Sequence, residues 1–376
     1  MPHPQKTIGI DCRFYSLNIG IGRYIAELIS ELGKLNSPHK YLLFFTKTGC
    51  AEFTQAKGKL PTKDSEIIII NAPHYSFAEQ TTFLWALIKA KPDLMHFTNF
   101  NTPILYPFKS IATIHDLTLH FFPGNKLNKP WHRLAYHLAF KRTINHASRL
   151  ITVSKHTASD LNRLYPQTKN KTTTIHLGVK SDFHKNDYPN ISAKYSLPQQ
   201  YLLYAGNWRE HKNIPALIKA FAILKKEYTY KGSLVLTGKT RPHHQDIPEL
   251  VTKLNLHDVI FVGDVDSQDL PSLFHYAEAF VFPTLYEGFG LPALEAMYTN
   301  TPVVASKCTC LPEVCGDAAQ YFNPNSPEDM AKQINQVITT PSLKQELIKK
   351  GKQRVNQFSF ATMAQLTHQI YNQLLT

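Results

Sequence analysis

Apolar residues along this chain follow two alternating patterns. Short, almost wholly apolar runs recur at Ile8–Cys12, Leu42–Thr46, Glu66–Ile70, Leu94–Phe97, Ile111–Ile114, Arg149–Val153 and Thr173–His176. They resume at Tyr201–Ala205, Ser233–Thr237, Val259–Val262, Ala279–Phe282, Pro302–Ala305 and Ala319–Phe322. Unbroken apolar runs of strand length, rather than apolar-polar alternation, mark parallel strands covered on both faces. Between them apolar positions return every three or four residues, as at Ile25, Leu28, Ile29 and Leu32 or at Leu217, Ala220, Phe221 and Leu224, the spacing of a helix with one buried stripe. The pattern predicts an α/β chain with parallel sheets, built twice over. Residues 178–200 are polar and turn-rich, with Pro189 and Pro198, and separate the two series. We therefore expect an N-terminal domain over 1–182, a C-terminal domain over 183–357 and a closing amphipathic helix over 358–376 whose apolar face suits either domain.

Composition agrees with that reading. At 376 residues, 43% hydrophobic and 18% charged, the chain suits two or three globular domains and not a disordered polymer. Apolar runs such as Glu66–Ile70 fall far short of the roughly 18 residues a membrane-spanning helix needs, and the N-terminus shows no apolar segment of signal-peptide type. Five cysteines (Cys12, Cys50, Cys308, Cys310 and Cys315) are an odd number in a chain with ample core, which fits a reducing cytoplasm.

Charge adds an asymmetry. The net +13 lies wholly in residues 1–180, with 23 Lys and Arg against 10 Asp and Glu; the remainder balances at 18 against 18. No acid stands between Asp116 and Asp160, whereas Lys126, Lys129, Arg133, Lys141, Arg142, Arg149 and Lys155 do. Candidates for an anionic partner are a membrane surface, an acidic acceptor and nucleic acid, beside a solvated basic face with no partner. The helix expected from Pro130 places Trp131, Leu134, Leu138 and Ala139 on one side, a stripe fit either for anionic lipid or for packing on the N-terminal sheet.

The richest stretch chemically is Phe282–Ser306, FPTLYEGFGLPALEAMYTNTPVVAS. A strand enters the loop Thr284–Gly290, and Pro292 suits the first turn of a helix starting near Leu291. Gly288 and Gly290 leave the loop's backbone N–H groups uncovered at a helix N-terminus, an anion site by dipole and by free donors. Glu287 falls in the loop and Glu295 in the first turn, where carboxylates can accept from vicinal hydroxyls. Asn300 supplies a left-handed helix end before Pro302. Arg209 and Lys212 follow the eighth strand, where loops of open α/β sheets collect ligands.

These residues resemble the E-x7-E signature of the retaining glycosyltransferases of family 4, the glycosyl transferases group 1, and the likeness runs along nearly the whole chain. Tyr201–Leu224 (YAGNWREHKNIPALIKAFAIL) and Val262–Thr284 (VGDVDSQDLPSLFHYAEAFVFPT) are similar to that family's strand, glycine turn, basic pair and helix, and to its approach to the glutamate loop. Gly20–Tyr24 (GIGRY), Ile114–Asp116 (IHD) and Ile151–Leu161 (ITVSKHTASDL) look like its N-terminal signatures. The resemblance implies a GT-B fold, two facing Rossmann-like domains with an interdomain cleft, the C-terminal one holding a nucleotide sugar and the N-terminal one the acceptor. It implies further that Glu295 binds the ribose diol, Glu287 lies by the donor sugar, Arg209 and Lys212 clamp the diphosphate and His115 touches the sugar. Gly22, Val265, Gly288, Phe289, Gly290 and Leu291 would complete the donor site, with Arg23, Asp116, Ser154 and Lys155 on the acceptor side. Asn207, where many members carry arginine, and Asn300, Leu177 and Lys180 depart from the pattern.

The combined expectation is a cytoplasmic, metal-independent, retaining hexosyltransferase, reversibly attached to anionic membrane. Its first-choice donor is GDP-mannose, and its acceptor a glycan or lipid-linked sugar in cell-surface polysaccharide or lipopolysaccharide assembly. A UDP-sugar transferase and a non-catalytic partner subunit are the rivals, and no nucleic-acid partner is expected. Asp264-Val265-Asp266 has the form of a metal-holding D-x-D but reads as turn and cap residues. Cys308, Cys310 and Cys315 lack a fourth ligand at zinc spacing. Ile25 stands where a dinucleotide fingerprint needs its third glycine.

Overall fold

The computed structural model describes residues 5–17, 20–124, 129–179, 183, 187–238 and 246–376; Lys126 and Lys180 lie outside them. Every one of the thirteen apolar runs contains a strand: β1 (Thr7–Asp11), β2 (Lys40–Phe45), β3 (Glu66–Ile69), β4 (Leu94–Phe97), β5 (Ser110–Ile114), β6 (Arg149–Thr152), β7 (Thr172–Thr174), β8 (Tyr201–Tyr204), β9 (Ser233–Thr237), β10 (Val259–Gly263), β11 (Ala279–Phe282), β12 (Val303–Ser306) and β13 (Ala319–Phe322). They form two separate parallel sheets, ordered β3-β2-β1-β4-β5-β6-β7 and β10-β9-β8-β11-β12-β13.

The chain divides into two compact units, residues 1–178 with 359–376, and residues 179–358. In the first, β1 pairs on both sides, Ile8 lying opposite Tyr41 and Leu94. In the second, Leu202 of β8 lies opposite Leu234 and Ala279. Helices connect most successive strands, as parallel pairing favours, while β4 and β5 are joined by residues 98–109 without one. Ile25, Leu28, Ile29 and Leu32 are buried on the helix Gly20–Leu32, and Leu217, Ala220, Phe221 and Leu224 on the helix Ile214–Glu227, the stripes their spacing predicted.

The closing helix, Phe360–Leu375, begins at Ser359, whose side chain caps it by accepting from the Thr362 N–H, and belongs to the first unit. Tyr371 is buried there, its hydroxyl 2.6 Å from Nδ1 of His96 on β4, and Lys109 donates to the Leu374 carbonyl at 2.8 Å. On the helix Pro130–His146 the expected stripe does not pack on the sheet. Tyr136, Phe140, Thr143 and Ile144 form the helix's buried face, whereas Trp131, Leu134 and Leu138 remain 61%, 61% and 54% exposed. Among the described residues no helix is long and apolar enough to cross a membrane.

Candidate active site

In each sheet the strand order reverses beside its first strand, at β1/β4 and at β8/β11. Loops leaving the carboxyl ends of two strands that diverge in this way open a crevice for ligands. In the second unit those loops carry Arg209, Lys212 and Glu287.

They are laced together. The main-chain carbonyl of His211 accepts from the Leu285 N–H at 2.7 Å and from the Thr284 hydroxyl at 2.9 Å. Asn213, in the left-handed region at φ 57°, donates its amide to the carbonyls of Pro283 and Pro324 at 3.1 and 2.8 Å. The Lys212 ammonium meets the Glu287 carboxylate directly, and both side chains are about 85% enclosed. The two residues lie 75 positions apart in sequence, so strand adjacency alone makes them partners. Arg209, just before the short turn Glu210–Lys212, is exposed. Beneath this loop Trp208 is buried and donates its indole N–H to the Thr237 carbonyl at 2.8 Å.

The glutamate loop is built with little freedom. Gly290 has φ 89°, and a Cβ there would lie 2.7 Å from Leu311; L side chains avoid that backbone region. The helix Leu291–Tyr298 follows with Pro292 in its first turn. Phe289 buries its ring nearly perpendicular to that of Phe358, with centroids 5.6 Å apart. The Glu287 N–H donates to the Thr309 hydroxyl at 3.3 Å. Glu295 is buried and, as the fifth residue of a helix that starts where expected, opens its second turn rather than closing the first. Leu291 is half-buried. Nearby, burial pushes the Cys308 thiol up to about 11 and the Cys310 thiol well above the ordinary range, which leaves both protonated and unreactive.

Val265 sits half-buried in the loop after β10. Its neighbour Asp266 accepts from Lys194 at 2.6 Å, and Asp269 takes the same ammonium at 2.5 Å together with the Tyr195 hydroxyl at 2.9 Å. The second aspartate of the D-x-D is thus engaged in an ion cluster. The described residues hold no group of three or more His, Cys, Asp or Glu able to ligate a metal.

The first unit gathers its candidates at the carboxyl ends of β1, β5 and β6. Gly22 lies in the first turn after β1, where a Cβ would come within 2.2 Å of the Ser16 carbonyl oxygen, so only glycine lets the loop fold back on the helix. Arg23 follows it, half-buried. After β5 the His115 Nε2–H donates to the Thr98 carbonyl at 2.8 Å, and its ring lies edge-on to Tyr24 at 4.9 Å. Burial holds this imidazole below its ordinary pKa, against the smaller opposing pull of that hydrogen bond. A neutral ring with its proton fixed on Nε2 keeps the Nδ1 lone pair as an acceptor. Asp116 is exposed and accepts from the Thr118 N–H at 2.8 Å. After β6 the buried Ser154 caps the helix Lys155–Leu164 by accepting from the Thr157 N–H at 3.0 Å, so its hydroxyl has a structural duty, while Lys155 is exposed. Sequence reasoning passed over the Asn213 strap and the buried cation Arg13; a charged residue directly after the first strand was the only signal for the latter.

Comparison with known proteins agrees with this fold. Residues 187–354 match the family model described as glycosyl transferases group 1, and residues 19–183 match that of glycosyltransferase family 4. The O-antigen chain mannosyltransferase B of Escherichia coli is 29% identical over 372 residues, covering 94% of this chain and 96% of its own. Among solved structures, a sucrose-phosphate synthase from Thermosynechococcus elongatus superposes with a TM-score of 0.77 at 22% identity, over 98% of this chain and 99% of that one. Anabaena HepE in complex with UDP and glucose superposes at 0.75 and 16% identity, over 98% and 100%. Two Rossmann-like units of this kind constitute the GT-B fold. The chain belongs to the group 1, family 4 glycosyltransferases and is a hexosyltransferase.

Proposed function

We propose that the protein transfers mannose from GDP-mannose, with retention of configuration and without a metal, to a glycan or lipid-linked acceptor in cell-surface polysaccharide or lipopolysaccharide assembly. The observation that carries this reading is the Lys212–Glu287 pair, fixed with Arg209 on two interlaced loops at the carboxyl ends of β8 and β11, ahead of a helix N-terminus. In the transfer the bond from the sugar's anomeric carbon to the diphosphate breaks. The leaving oxygen takes the proton of the acceptor hydroxyl, and that hydroxyl bonds to the same face of the anomeric carbon. Arg209, Lys212 and the N–H groups of Gly288 to Leu291 face the charge that develops on the diphosphate. Glu295 receives the ribose hydroxyls, and the Nδ1 lone pair of His115 accepts from a sugar hydroxyl. The mannosyltransferase relative supports the choice of sugar.

A thermal-shift screen with GDP, UDP and ADP tests the base: a ligand at 100 times its Kd stabilises by about 2.7 kcal/mol. A shift with UDP alone would replace GDP-mannose with a UDP-sugar. EDTA is expected to leave transfer within about twofold, because cations and helix dipole carry the charge that a metal would otherwise carry. Loss restored by magnesium or manganese would refute metal independence.

The reading includes a cytoplasmic enzyme held reversibly at the membrane. Trp131, Leu134 and Leu138 lie exposed on one helix beside Lys129, Arg133 and Lys141, in a stretch without acids, and each basic residue near an anionic leaflet contributes about 1 kcal/mol. Arg142, by contrast, donates to the Ile104 and Tyr106 carbonyls and serves the fold. Cosedimentation with phosphatidylglycerol vesicles at low salt, abolished by high salt and by Lys129→Glu with Lys141→Glu, is the expected result. Indifference to those vesicles would assign the charge to a soluble acidic acceptor or to solvation.

A further inference from the structure

Tyr75 combines three features seldom found in one residue. It has φ 60°, it is 57% exposed, and it stands in the connection between β3 and the π-helical turn Glu79–Phe83. A bulky side chain in the left-handed region is a backbone outlier, and such strain persists only where surroundings impose it. Core packing does not impose it here, because most of the ring is in solvent.

A buried charge network does. The Tyr75 N–H donates to Glu79 Oε2 at 3.3 Å, and that same oxygen accepts from Arg13 Nη1 at 3.1 Å. Arg13 also grips Asp11 with Nε and Nη2, both at 2.9 Å, donates to the Ala72 carbonyl at 3.3 Å and lies over the Phe83 ring. Arg13, Asp11 and Glu79 are each at least 97% buried. Burying three charges is costly unless they are mutually paired, so the arrangement rigidly joins the end of β1 to the segment that carries Tyr75.

Three other rings pack around it. Phe14 and His74, stacked on each other at 3.7 Å, stand nearly perpendicular to it at 6.4 and 6.1 Å, and Phe100 lies at 6.1 Å. Phe100 in turn meets Tyr136 at 5.3 Å, whose hydroxyl is 2.7 Å from His120 Nδ1. Phe14, His74 with Tyr75, and Phe100 follow the carboxyl ends of β1, β3 and β4, and His120 and Tyr136 follow β5, the same end of the sheet as His115 and Asp116.

A largely exposed aromatic ring on a tethered backbone, with other rings packed beside it, offers ring surface at little entropic cost on binding. The complement of such a face is the patch of axial C–H groups on a pyranose, with neighbouring imidazole, phenol and carboxylate groups for the hydroxyls. We propose that Tyr75 is a stacking platform for a pyranose unit of the acceptor, positioned by the Arg13–Glu79 network. This rests on the glycosyltransferase reading and adds the residue that selects a sugar ring on the acceptor side.

The test uses Tyr75→Gly, which removes the ring while satisfying the backbone, together with Tyr75→Phe and Tyr75→Trp, which keep a π-face. Tyr75→Gly is expected to raise the acceptor KM, and the Kd for mannose oligosaccharides measured by titration, at least tenfold. Its melting temperature should equal or exceed that of the wild type, because strain is relieved, and its affinity for the free nucleoside diphosphate should not change. The phenylalanine and tryptophan variants should stay within about threefold of wild type in KM. A purely structural tyrosine would give the opposite, a lowered melting temperature with unchanged acceptor KM. Oligosaccharide affinity within twofold of wild type in Tyr75→Gly, or equal losses in Tyr75→Phe and Tyr75→Gly, would overturn the platform. Absence of transfer by the wild type with every nucleotide sugar would defeat the underlying reading instead, and direct oligosaccharide titration would still decide Tyr75.

Discussion

Lys212→Ala and Arg209→Ala are each expected to lower turnover by about 10² to 10³, or about 3 to 4 kcal/mol of transition-state stabilisation, because each removes a cation that the proposed mechanism aims at the departing diphosphate. The structure adds a coupling. Lys212 is paired with Glu287 and mostly enclosed, so removing either partner leaves the other charge poorly compensated. The double variant Lys212→Ala with Glu287→Ala should therefore cost much less than the sum of the two single losses. Arg209, exposed on the same loop, should combine additively with Glu287. Steady-state kinetics with unchanged melting curves for Arg209→Ala is the check, and near wild-type turnover in both single lysine and arginine variants would remove the diphosphate clamp from the mechanism.

Glu295→Ala and Glu287→Ala should fail differently. Glu295 is buried in the helix that follows the loop, and its proposed contact is to ribose; its loss should weaken binding of the free nucleoside diphosphate at least tenfold and raise the donor KM. Glu287 lies on the loop itself, tied to Lys212, and its proposed contact with the sugar forms only as transfer proceeds; its loss should spare nucleotide affinity and depress kcat by about 10² or more. Calorimetry with the free nucleotide separates the two, and equal losses of affinity would show that the carboxylates share one task.

Much of this architecture is readable one segment at a time. The central strands stood out as continuous apolar runs because a parallel strand covered on both faces has no polar side to show, whereas the edge strands β3, β7 and β10 are only partly covered. The helix after Gly290 was legible from Pro292 and Asn300, since proline's fixed φ and a left-handed terminal residue act within one turn. The glutamate loop and the basic pair were likewise visible as residues, with their positions after β11 and β8.

The sequence by itself determined the α/β class, the order of strands and helices, and the residue types at the end of each strand, because these depend on local periodicity and turn chemistry. Tertiary structure alone decided which distant residues meet: Lys212 with Glu287 across 75 positions, Arg13 with Glu79 across 66, and the closing helix with His96 and Lys109 of the first unit. It also decided that Tyr136, Phe140 and Ile144, rather than Trp131, Leu134 and Leu138, face the core. That helix carries apolar residues on both sides, so its periodicity is ambiguous, and the choice falls to the free energy of packing against β5 and its neighbours. Ion pairing, helix docking and the strain at Tyr75 all draw on contacts between segments far apart in the chain, and no local pattern of residues encodes those distances.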